Sequence, residues 1–65
     1  MLAENIKKLR KQHKLSQEQL AHKAGITYST LIKIESGTNS NPTIKTIKKL
    51  AETLRISIDK LTEEI

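Results

Sequence analysis

"LSQEQLAHKAGITYSTLIKIESG" (Leu15–Gly37) carries two helical patterns separated by only Gly25, Ile26 and Thr27. Ser16 with Gln19 at the third helical position forms a capping box, which predicts a helix over about 17–24 with Leu20, Ala21 and Ala24 facing inward. Gly25 suits the left-handed residue that stops a helix sharply. Thr27 then caps a second helix over about 28–36, and Gly37 is expected to end it as Gly25 ends the first. A glycine link this short makes two helices cross steeply. That is the geometry of a helix-turn-helix, whose second helix enters the DNA major groove, and also of an ordinary helical corner.

A helical wheel divides the second of these helices. Leu31 and Ile34 point to the core, with Thr30 at its edge, whereas Tyr28, Ser29, Ile32, Lys33 and Ser36 share the outward arc. Ile32 is the misfit, an exposed apolar residue in the middle of a polar face.

The flanking sequence extends the helical pattern. Leu2, Ile6 and Leu9 mark the inner face of a first helix whose opposite face carries Lys7, Lys8, Lys11 and Lys14. "TNSNP" (38–42) reads as a loop. Thr43 caps a fourth helix with the stripe Ile44, Ile47, Leu50, Ala51 and Leu54, and Ser57 starts a short fifth presenting Ile58, Leu61 and Ile65. Strand signals, repeats and linkers are absent, so residues 1–65 are expected to form one all-α domain of five helices.

Composition narrows the function. The 65 residues carry a net charge of +5, concentrated in residues 1–35, which directs attention to an anionic partner, nucleic acid first. There is no Cys, and His13 and His22 lack partners at ligand spacing, so neither a metal nor a cofactor is expected. Acid–His pairs suited to catalysis are missing, and "ESGTNS" lacks the Gly-Lys-Ser/Thr of a phosphate loop, which argues against an enzyme. No apolar run approaches the ~20 residues that cross a bilayer, and Glu4 and the early lysines break any signal-peptide core. A cytoplasmic protein without membrane contact is expected, and no small-molecule ligand is evident.

The stretch from Leu15 to Gly37 resembles the Cro/C1-type helix-turn-helix of the xenobiotic-response-element (XRE) family of regulators. The shared features are Ser-Gln opening the second helix, Leu-Ala within it, Gly at the turn, and Leu-x-x-Ile-Glu-x-Gly closing the third. "NPTIKTIKKLAETLRISIDKL" (41–61) resembles the family's fourth and fifth helices, so the likeness spans about 4–62. It implies a compact five-helix, lambda-repressor-like fold with the motif at about 17–36, and a sequence-specific DNA-binding transcriptional repressor. Gln17 inherits a phosphate contact, which the helix N-terminus also favours. Arg10 and Glu35 inherit a structural ion pair. The base-reading positions fall on Tyr28, Ser29, Ile32 and Lys33, where the Gln or Arg of many family members is absent.

The chemistry at those positions is a cation for guanine or phosphate (Lys33), a donor–acceptor hydroxyl (Ser29), a ring with a hydroxyl (Tyr28) and an apolar surface for a thymine methyl (Ile32). Thr27, Ser36, Thr38, Asn39, Ser40, Asn41 and Lys45 are the further phosphate candidates. Double-stranded DNA is thus the expected partner, bound as a homodimer on a palindromic operator, with Ile58, Leu61 and Ile65 as candidate dimer contacts. The alternative is a protein-interaction module of the same fold, antitoxin-like or anti-regulator, anchored by an exposed Ile32.

Overall fold

A computed structural model describes residues 2–63. The helices are α1 (Leu2–Gln12), α2 (Gln17–Ala24), α3 (Tyr28–Glu35), α4 (Ile44–Leu54) and α5 (Ile58–Leu61), with no strand among the described residues. Three of the four links between them are the same three-residue device. A residue with left-handed backbone (Lys14, Gly25 or Arg55) is followed by an apolar residue (Leu15, Ile26 or Ile56) and then by the hydroxyl cap of the next helix (Ser16, Thr27 or Ser57).

Each link closes the preceding helix with two backbone hydrogen bonds. Lys14 N donates to Lys11 O and Leu15 N to Arg10 O, at 3.0 and 3.1 Å. Gly25 N donates to His22 O and Ile26 N to Ala21 O, at 3.2 and 3.0 Å, and Arg55 and Ile56 repeat the pattern at the same two distances on Glu52 and Ala51. These paired bonds satisfy carbonyls that a helix end would otherwise leave open. The apolar residue of each link lies five positions after the residue whose carbonyl it closes and five before a leucine, Leu20, Leu31 or Leu61, each 0% exposed. Leu15, Ile26 and Ile56 themselves pack against that core, so every cap brings an apolar pair flanking a helix start, the arrangement of a hydrophobic staple.

Ile6, Leu20, Ala21, Ala24, Leu31, Ile34, Leu50, Ala51, Leu54 and Leu61 form the buried core. Burial of each large side chain favours folding by about 1.5–3 kcal/mol. α3 packs on α1 and α2, while α4 packs on α2 and α5. Asn5 Nδ2 donates to Leu61 O at 2.9 Å and Glu63 O at 2.8 Å, closing the end of α5 onto α1.

Several expectations need correction. Lys14 does not continue the first helix: α1 stops at Gln12, and Lys14 turns left-handed at φ 57°. α3 ends at Glu35 with Ser36 as a right-handed cap; Gly37 does take the left-handed backbone, at φ 83°, and its N–H reaches Ile34 O at 3.2 Å as that of Gly25 reaches His22 O, but a wide loop follows in place of the tight link. Ile44 is 66% exposed and leaves the α4 stripe, because it sits at the stripe's edge in the first turn, where Pro42 is the buried side chain. Leu61 is core and so is not free to contact a second copy: α5 is four residues long, and its inward position serves this fold. Ile58 is half-buried against the core, and Ile65 lies outside the described residues.

Candidate nucleic-acid interface

Glu35, at the last turn of α3, is the centre of the site's framework. Its side chain is 2% exposed and receives a two-pronged contact from Arg10, Nε to Oε2 at 2.8 Å and Nη2 to Oε1 at 3.2 Å. Gln17 Nε2 donates to the same Oε1 at 3.2 Å. The remaining guanidinium donor, Arg10 Nη1, reaches Leu15 O at 2.9 Å. One carboxylate therefore ties α1, the first residue positions of α2, and α3 together, and the guanidinium also fixes the link between α1 and α2. A planar fork meeting a carboxylate adds direction as well as attraction, so the pair sets the orientation of α3.

At its other end α3 is fixed by Thr27, whose Oγ1 accepts from Thr30 N at 3.1 Å. The Thr27 hydroxyl also lies 2.7 Å from that of Thr30 and 3.3 Å from that of Ser29. Lys49, on α4, donates to Gly25 O at 3.5 Å. A cation at the end of α2 is favoured by the partial negative charge of its last carbonyls. A contact between residues 24 positions apart has no local signature in the sequence.

Between these supports, Tyr28 is 49% exposed, and Ser29 and Lys33 are exposed beside it. Ile32 is half-buried, not fully presented as the wheel implies. Beyond α3, the Ser36 hydroxyl donates to Lys33 O at 3.2 Å and lies 2.9 Å from the Thr38 hydroxyl. Asn39 is half-buried, with its Oδ1 accepting from Asn41 N at 3.1 Å, while Ser40, Asn41 and Lys45 are exposed. Gln17 is half-buried and held by Glu35, with its backbone at the start of α2.

The presented surface is polar and basic. Among the described residues, the ion pairs are Arg10–Glu35 and a long Lys60–Glu63 contact at 3.8 Å, and neither Lys33 nor Lys45 takes part in one. No cluster of three or more metal-ligating side chains occurs among the described residues. No helix there is long and apolar enough to cross a membrane.

Comparison with known proteins gives a consistent picture. The helix-turn-helix family profile matches residues 6–61. The chain is 36% identical over 64 residues to the HTH-type transcriptional regulator SinR of Bacillus subtilis, covering 98% of this chain and 58% of SinR. It thus spans somewhat more than half the length of that relative. The solved N-terminal DNA-binding domain of Bacillus subtilis SinR superposes with a TM-score of 0.94 at 36% identity, over 98% of this chain and 93% of that one. SinR crystallised in complex with DNA gives 0.93 at 35% identity, over 97% of this chain and all of that one.

Proposed function

Since the chain belongs to the helix-turn-helix family of Cro/C1 type, we propose that it is a sequence-specific DNA-binding transcriptional regulator that lays α3 in the major groove. The observation that carries this reading is the open face of α3. Tyr28, Ser29 and Lys33 are exposed on a helix held at one end by Arg10 and Gln17 through Glu35, and at the other by the Thr27 cap. The shared fold with SinR in complex with DNA supports the same placement.

In this arrangement Lys33 donates to guanine or to a phosphate, Ser29 and Tyr28 offer hydroxyls to base edges, and the exposed part of Ile32 meets a thymine methyl. Thr27, Ser36, Thr38, Asn39, Ser40, Asn41 and Lys45 flank α3 and serve the sugar–phosphate backbone. Gln17 adds a phosphate contact at the start of α2, where free backbone N–H groups already attract an anion. Ile32 is half-buried, so less of it is open to a partner than the helical wheel implies.

A single unit reads few base pairs, so the regulator acts in the cytoplasm as a homodimer on a two-fold operator, with half-sites spaced about 34 Å apart. Ile58 remains a candidate contact between copies. Selection of bound duplexes from a random pool, followed by titration against salt, tests the reading. A palindromic consensus and salt-dependent binding that weakens in Lys33→Ala and Gln17→Ala are expected. Affinity indifferent to salt, or unchanged in both variants, would overturn it.

A further inference from the structure

Resting on the DNA-binding reading, we propose that Lys7, Lys11 and Lys14 grip the phosphate backbone of duplex DNA outside the base pairs that α3 reads. Lys7 and Lys11 lie one turn apart on α1, and all three lysines are exposed. Arg10 is the neighbour of this row on the side of α3, since its guanidinium binds Glu35. At the other end, Lys14 stands three residues ahead of Gln17. The row therefore continues the edge of the interface, from the start of α2 along α1.

Two features of the row work against the isolated fold. Like charges one turn apart repel, and among the described residues none of these lysines forms an ion pair. Lys14 also occupies a left-handed backbone at φ 57°, where the equivalent position of the next link is Gly25. A side chain there is disfavoured relative to glycine. A polyanion lying along α1 offsets the repulsion, and duplex DNA already bound by α3 is the polyanion continuous with this edge.

The test compares two duplexes containing the selected site, one ending at the last base pair read and one extended by about a helical turn on each side. Binding of the native chain, of the triple variant Lys7→Gln/Lys11→Gln/Lys14→Gln, and of a charge-matched control, Lys48→Gln/Arg55→Gln/Lys60→Gln, is followed against salt. The native chain and the control should bind the long duplex more tightly. The triple variant should lose that advantage, with its salt slope on the long duplex flattened by roughly 2 to 3, and match the native chain on the short duplex. Circular dichroism verifies that each variant is folded. Equal slopes for the triple variant and the native chain overturn the inference while leaving DNA binding intact. So does an equal loss in the control, which assigns the effect to net charge, or capture of an acidic protein by the row with no gain from flanking DNA. Failure of the native chain to bind either duplex overturns the DNA-binding reading itself.

Discussion

Arg10 and Glu35 meet through two N–H···O contacts, the shorter at 2.8 Å, across a boundary where the arginine is 13% and the glutamate 2% exposed. Breaking such a pair strands a charge in a poorly solvated place, which typically costs about 3–5 kcal/mol. Glu35→Gln should thus remove most of the stability of so small a fold, read as a large drop in the urea midpoint. Arg10→Met/Glu35→Leu, which removes both charges, should recover much of the loss. A single variant as stable as the native chain would show that Arg10 is solvated elsewhere.

The left-handed positions give a prediction of opposite sign. Arg55→Gly and Lys14→Gly should each stabilise by about 0.5–1 kcal/mol, raising Tm by roughly 3–6 °C. Gly25→Ala should destabilise by a similar amount through backbone strain alone, since a Cβ there meets nothing within 4 Å. Thermal unfolding of the three variants checks the set. A stable Gly25→Ala would mean that the turn relaxes.

Lys33 and Lys45 should separate under the same binding assay. Lys33→Ala should weaken binding to the selected site about 10- to 100-fold and relax the preference at one base position. Lys45→Ala should weaken binding to all sequences alike and flatten the salt slope by about 1. Reversed behaviour would place Lys33 on the backbone.

Three apolar residues near the second half of the chain should differ sharply in stability. Leu61→Ala opens a fully buried site and should cost about 2–5 kcal/mol. Ile44→Thr, at a side chain 66% exposed, should change stability by less than about 0.5 kcal/mol. Ile58→Ala should fall between them. Equilibrium unfolding in urea ranks the three, and a mild Leu61→Ala would contradict the burial of α5.

The helices were readable from sequence because their signals are local. Ser16 with Gln19, Thr27, Thr43 and Ser57 each announce a cap, and each accepts its backbone hydrogen bond. The ends of α1 and α4 were harder, because Lys14 and Arg55 take a backbone that glycine usually marks. Leu61 looked available because a short amphipathic turn reads the same whether its apolar side meets its own core or a second chain. Ile44 and Ile32 failed for a related reason: a wheel gives direction around an axis but not what lies opposite. The pairing of Arg10 with Glu35 came only with the family resemblance, and the bond from Gln17 to the same carboxylate was not foreseen at all. The contacts of Asn5 and Lys49 join distant residues through backbone carbonyls, which leave no trace in composition or spacing.

The three tight links also define where the chain is able to come apart. Opening at 14–16, 25–27 or 55–57 undoes two closing hydrogen bonds, a cap and a packed apolar side chain together. The stretch 36–43 is longer, mostly exposed, and held largely by short-range hydroxyl and amide contacts. Exposed segments of this kind are where proteases nick folded domains. A brief digestion would therefore cut the molecule into two pieces, α1–α3 and α4–α5, that stay docked through their shared core until denaturant separates them.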